Sequence, residues 1–259
     1  TGVRDIFPSN LNLVDGPGCP VCVTTNDYLD RAIEIAKKFD VILCTFGDLM
    51  KVPSSFSSLQ KERANGLSIH VVYSPFDSLT IARENPNREI VFLGVGFETT
   101  IPSEAFTLKT AKEEDIANFS YLVGNKLTPP AVAALLDSEE VNIDGFILPG
   151  HVSTITGVKG WRFVAEKYKK PCIIAGFNDR DLIIGTLSLV NLIKRGHPAI
   201  LNVYGEVVTE QGNIKAQEVM DEVFETSDSN WRGIGVIPNS GKKLRSEYSD
   251  FDAAEKFPL

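Results

Sequence analysis

The sequence is poor in the residues that most often hold metals and disulfides: 259 residues contain four cysteines, three histidines, two methionines and two tryptophans. Four cysteines in a chain of this length are too few for a disulfide framework and suit thiols kept for chemistry in a reducing cytoplasm, which is the expected location. No apolar run approaches the roughly 20 residues that cross a bilayer, so no membrane association is expected. The opening "TGVRDIFPSN" has neither the basic start nor the apolar stretch of a signal peptide. A basic excess is missing too: 26 Lys and Arg stand against 34 Asp and Glu, a net charge of −8. That balance, spread along the chain, argues against a nucleic-acid or anionic-membrane surface. Neither a Walker A sequence nor a G-x-S-x-G elbow occurs. The stretch "GVGFET" lacks the third glycine of a dinucleotide fingerprint, and Pro102 is expected to interrupt the helix that would receive a pyrophosphate.

What is present is ample apolar material, 43% of the chain. Short runs, apolar nearly throughout, predict strands at 40–46, 67–74, 89–95, 144–150, 171–177 and 200–208, as for parallel strands buried on both faces. Helical patterns lie between them at 26–39, 77–86, 129–138, 158–168, 181–196 and 213–225, with Asn26 as an N-cap and Gly196 just past a C-terminus. This alternation defines an α/β protein. Helix, strand and loop recur in the same order in both halves. The expectation is two related lobes with mainly parallel sheets flanked by helices, facing a cleft: residues 1–120, carrying the cysteine pair, and 121–259, ending in a helical and loop extension.

Ligands of parallel α/β sheets bind beyond the carboxyl ends of the strands. Four loops belong there: "TFGDLMKVP" (45–53), "GVGFETTIP" (94–102), "PGHVSTITG" (149–157) and "GFNDRD" (176–181). They bring Asp48, then Glu98 with Thr99 and Thr100, then His151 with Ser153, then Asp179, directly after greasy strands. A carboxylate, a histidine and several hydroxyls in one crevice would form an active site. Against that, Asp and Thr at strand ends commonly do no more than cap the next helix.

The stretch "GPGCPVCVT" (16–24) sets Cys19 and Cys22 at C-x-x-C spacing. Alone, it is half of a structural zinc site, with no second C-x-x-C and with His70, His151 and His197 distant in sequence. A redox dithiol fits better, because its two sulfurs can reach one another at this spacing, and thiolates also suit a soft-metal seat. Cys44 and Cys172, within strand runs, read as inert core thiols, and His70 in mid-strand as a satisfied structural histidine.

In this order, "GPGCPVCVT", "TFGDLMKVP", "GVGFETTIP", "PGHVSTITG" and the late "WRGIG" region (212–241) resemble the HypD family of nickel–iron hydrogenase maturation factors over nearly the whole chain. The resemblance implies a scaffold on which the Fe(CN)2(CO) fragment is assembled. It implies a HypC-type small chaperone that shares the iron and a HypE-type donor that delivers cyanide on a thiol. Cys19 and Cys22 would be the redox pair supporting cyanide transfer and candidate metal ligands. His151 and Glu98 would line the same cleft, with Asp48, Thr99, Thr100 and Ser153 as orienting or binding groups. The chain departs from the family in three places. The C-G-T-H motif whose cysteine is the favoured iron ligand does not precede Thr1, no cysteine-rich segment for a 4Fe–4S cluster follows Cys172, and the family's G-F-E-P becomes "GFND", with Asn178 for glutamate. The first two imply a truncated piece of a longer protein; the third fits a short relative without the chemistry. A thiol–disulfide oxidoreductase and a non-catalytic metal- or partner-binding module are the alternatives.

Overall fold

The structure, a computed structural model, describes residues 2–138 and 142–259. These fall into two compact units, one of residues 2–18 with Thr128–Gln217, the other of Cys19–Leu127 with Glu218–Leu259. The units are discontinuous in sequence, unlike the contiguous stretches 1–120 and 121–259.

In the larger unit the chain alternates α1 (Asn26–Lys38), β1 (Val41–Thr45), α2 (Leu59–Ala64), β2 (Ile69–Val71), α3 (Asp77–Glu84), β3 (Glu89–Gly94), α4 (Ile101–Glu113) and β4 (Phe119–Val123). The strands pair in parallel in the order β2-β1-β3-β4. Central β1 is buried throughout and β3 is buried after its first residue, the physical reason both read as unbroken apolar runs. One face is covered by α1, whose Leu29, Ala32 and Ile33 pack with Leu43, Val91 and Leu93. Thr25, rather than Asn26, is the residue preceding that helix. At the sheet edge, β2 is only three residues long, and His70 in its middle is exposed. Pro102 does not interrupt α4. It lies in the first turn, where the missing N–H has no intrahelical partner to lose.

The smaller unit contains α5 (Thr128–Asp137), β5 (Phe146–Pro149), α6 (Gly150–Thr156), α7 (Arg162–Glu166), β6 (Cys172–Ala175), α8 (Asp179–Lys194) and β7 (Ile200–Asn202). Its parallel order is β5-β6-β7. Ile173 and Ala175 pack against Leu189 and Leu192 of α8. Asn178 caps α8, its side chain accepting the Asp181 N–H at 2.8 Å, and Gly196 follows the helix at φ +59°.

Within α9 (Ile214–Val223) the chain passes from the smaller unit to the larger. Beyond α9 the chain is not a helical and loop extension. It forms an antiparallel hairpin of β8 (Phe224–Trp231) and β9 (Gly235–Leu244), then a 3-10 turn and α10 (Ala253–Lys256). The hairpin completes the larger unit. Leu127 donates its N–H to the Ser240 carbonyl at 2.8 Å, Phe224 packs on Tyr121, and Trp231 stacks on Phe97 with ring centroids 5.8 Å apart. The four-stranded and three-stranded sheets are parallel and flanked by helices, so each unit is α/β. Among the described residues no helix is long and apolar enough to cross a membrane.

Candidate functional site

The C-x-x-C segment forms a tight turn on the larger unit. Val23 donates its N–H to the Cys19 carbonyl at 3.2 Å, and the Thr24 hydroxyl donates to the Pro20 carbonyl at 2.9 Å. Val21 belongs to the core and Cys19 packs against it, along with Leu49, Met50 and Val95 from the segments after β1 and β3. One sulfur is thereby seated and the other left outside: Cys19 is half-buried and Cys22 exposed, both as free thiols. The Cys22 backbone N–H donates to Cys19 Sγ at 3.2 Å.

The two thiols are not equivalent. Cys22 holds its proton above the usual thiol range, first because it donates a hydrogen bond to Cys19, then through partial burial and the Cys19 charge. Asp48 pushes in the same direction and Arg232 opposes it. The other two cysteines are inert by comparison. Cys44 and Cys172 lie fully buried within β1 and β6, and burial pushes each thiol up to about 12.

Asp48 stands exposed on the 3-10 turn Gly47–Lys51 that follows β1. Glu98 follows β3 and is buried, its charge acting on the likewise buried Lys242 of β9. Thr99 beside it is exposed. Thr100 leads into α4, with its hydroxyl donating to the Phe97 carbonyl at 3.2 Å. This loop is held close to its neighbours: a Cβ at Gly94 would collide with the Tyr121 ring and one at Gly96 with the Thr100 side chain.

His151 and Ser153 belong to the smaller unit, on α6, a helix where the sequence suggests a loop. His151 is exposed beside Phe177 and Tyr204, with ring centroids at 4.6 and 6.4 Å. The Ser153 hydroxyl is occupied by structure: it donates to the Pro149 carbonyl at 2.8 Å and accepts the Trp161 indole N–H at 2.9 Å. The structure therefore brings Asp48 to bear on the cysteine pair, while His151 and Ser153 lie in the other unit.

One neighbour of the pair has no clear mark in the sequence. Arg232, in the β8–β9 turn, donates its backbone N–H to the Val23 carbonyl at 2.8 Å and its guanidinium to the Pro53 carbonyl at 3.2 Å. The only local signal is an arginine between a tryptophan and a glycine, and nothing nearby in sequence ties it to Cys22.

Among the described residues no group of three or more His, Cys, Asp and Glu could hold a metal ion.

Fold and site define a two-unit α/β protein with an accessible dithiol on an ordered loop. The profile described as "HypD: Hydrogenase formation hypA family" matches residues 1–259. The chain is 44% identical over 257 residues to the hydrogenase maturation factor HypD of Rhodobacter capsulatus, covering 99% of this chain and 68% of that protein. It is 42% identical to HypD of Escherichia coli (99% and 69% covered) and 42% identical to HypD2 of Bradyrhizobium diazoefficiens (100% and 70%). The chain belongs to the HypD family of hydrogenase maturation factors.

Proposed function

We propose that this chain takes part in assembling the Fe(CN)2(CO) unit of nickel–iron hydrogenases, with Cys19 and Cys22 as the two-electron seat for cyanide transfer. The carrying observation is the asymmetric dithiol, one sulfur seated on the core and accepting an amide N–H, the other exposed and holding its proton. An exposed thiol beside a seated partner sulfur suits thiol exchange, in which the thiolate of one attacks and the other closes the disulfide.

The reaction balances without another reductant. A carrier thiocyanate, R–S–C≡N, and the two thiols give R–SH, HCN and the Cys19–Cys22 disulfide. Two electrons pass from the pair to the carrier sulfur, and the two thiol protons leave on the carrier thiol and on cyanide. Iron that accepts the cyanide is the cargo, and Cys19 and Cys22 are the thiols of this chain that would face it. A HypE-type protein is the proposed donor and a HypC-type chaperone the proposed co-holder of the iron. Glu98, Asp48, Thr99 and Thr100, all of the larger unit, are proposed to bind or orient these reactants from their strand-end positions.

The test is a hydrogenase-maturation assay on Cys19→Ser and Cys22→Ser. Each is expected to lose maturation while keeping the wild-type far-UV circular dichroism spectrum. Full maturation with both replaced would overturn the proposal.

A further inference from the structure

Most of the charge on this chain is repulsive to an anion, given a net −8. The surroundings of Cys22 depart from that. Two charged side chains besides its partner cysteine act on its sulfur, and they have opposite signs: Asp48 from the turn after β1 and Arg232 from the β8–β9 turn. Arg232 is held there from both ends. Its backbone N–H binds the Val23 carbonyl, one residue beyond Cys22, and its guanidinium binds the Pro53 carbonyl. Gly233 and Gly235, at φ +79° and +99°, supply the tight turn that presents it.

The Arg232 guanidinium lacks an acidic partner among the described residues. The guanidinium's bond is to a neutral carbonyl, and its Nε–H is buried with no acceptor. A half-buried cation with donors in excess of its partners, next to an exposed thiol, favours a reactant carrying negative charge.

We propose that Arg232 is a specificity-determining residue of the C-x-x-C site, selecting reactants that carry negative charge beside the atom the thiols attack, with Asp48 limiting that preference. This rests on the reading of Cys19 and Cys22 as a reactive pair. It adds a selector supplied by a segment more than 200 residues further along the chain.

The test compares two disulfide reagents on the reduced protein, dianionic 5,5′-dithiobis(2-nitrobenzoate) and neutral 4,4′-dithiodipyridine, by anaerobic stopped flow at low salt. In each case a thiolate of the pair attacks the reagent disulfide, releasing one aryl thiolate and leaving a mixed disulfide. The second cysteine then attacks that bond, releases a second aryl thiolate and closes Cys19–Cys22. The buried Cys44 and Cys172 do not compete.

The readout is the ratio of the two rate constants, which a loosened loop would leave unchanged because it alters both rates together. Arg232→Ala is expected to lower the anionic-to-neutral ratio about 3- to 10-fold, the effect of one partly screened unit charge. Arg232→Lys is expected to restore most of the ratio. Asp48→Asn, at an exposed side chain, is expected to raise it, and salt to compress all of these differences. An unchanged ratio in Arg232→Ala and Asp48→Asn overturns the selector, even if both reagents slow equally. A wild-type pair inert to both reagents overturns the redox reading and the selector together.

Discussion

Each unit holds one buried tryptophan, and the two are anchored in the same way. Trp161 donates its indole N–H to Ser153 at 2.9 Å, and that serine donates to the Pro149 carbonyl at 2.8 Å. Trp231 donates to Ser240 at 2.8 Å, and that serine donates to the Ile237 carbonyl at 2.8 Å. In both, burial of a large ring is made tolerable by satisfying its one polar atom. The surroundings then diverge. In the smaller unit the tryptophan braces α6, which carries His151. In the larger unit it lies under the turn that presents Arg232, it stacks on Phe97 just ahead of Glu98, and Lys126 sits over its ring while donating to Ser229 and the Asn230 carbonyl. Burial lowers the Lys126 ammonium to about 8. The same anchor thus serves one helix in one unit and a charged, thiol-bearing surface in the other.

The comparison breaks first at the rings themselves. Trp231→Ala and Trp161→Ala should each cost about 3–5 kcal/mol in denaturant unfolding, the range for emptying a large aromatic site. The expected distinction is where the damage goes: Trp231→Ala changes the alkylation rates of Cys19 and Cys22, whereas Trp161→Ala accelerates amide exchange in α6. Unchanged alkylation in Trp231→Ala would remove the link between the hairpin and the cysteine loop.

A second difference is the carboxyl hidden in the larger unit. Glu104 is fully buried; Tyr121 Oη and Asn125 Nδ2 donate to its Oε2 at 2.8 and 2.6 Å, while Oε1 has no partner. Burial raises its pKa from 4.5 to about 7, against the pull of the two hydrogen bonds. The folded state therefore holds this proton more tightly than the unfolded state. Stability should fall as pH rises from about 4.5 through about 7 and level off above. Glu104→Gln should lack that slope, so the stability difference between variant and wild type changes by roughly 3 kcal/mol between acidic and alkaline conditions. An identical pH profile for the two proteins would contradict it.

The gentlest probe removes only the anchors. Ser240→Ala and Ser153→Ala each leave a buried indole N–H unsatisfied and should cost about 1–3 kcal/mol. Equal costs in thermal unfolding would sharpen the likeness of the two anchors, and a neutral result at either serine would break it.

The legible parts of the fold were those whose burial is continuous along the chain. Central β1, β3 and β6 read as apolar runs because both faces are covered. The hairpin was invisible for the opposite reason: β8, "FETSDSNW", buries only Phe224 and Trp231 at its ends. Its role depends on Tyr121 and Phe97, over 100 residues away in sequence. At β4, Ser120 breaks an otherwise apolar run, and the boundary expected between residues 120 and 121 cuts through that strand; α4 is obscured by a proline that starts helices as readily as it breaks them. In the site, the cysteine pair announced itself by spacing. The seating of Cys19 and the reach of Arg232 are consequences of packing that no local pattern encodes, whereas Asn178 caps α8 by a contact only three residues long.

The central claim is that Cys19 and Cys22 supply the two electrons that release cyanide from a sulfur carrier. The most direct measurement incubates the reduced protein anaerobically with a peptide whose cysteine is cyanylated, then counts free cyanide and maps the thiols by mass spectrometry. The account predicts one cyanide per chain, one Cys19–Cys22 disulfide, and Cys44 and Cys172 still reduced; of the two single variants, Cys19→Ser and Cys22→Ser, the one that keeps the attacking thiol releases cyanide but stays trapped as a mixed disulfide with the peptide, and the other releases none above the peptide alone. Cyanide released with both thiols intact, or no cyanide despite a fully reduced pair, would contradict it.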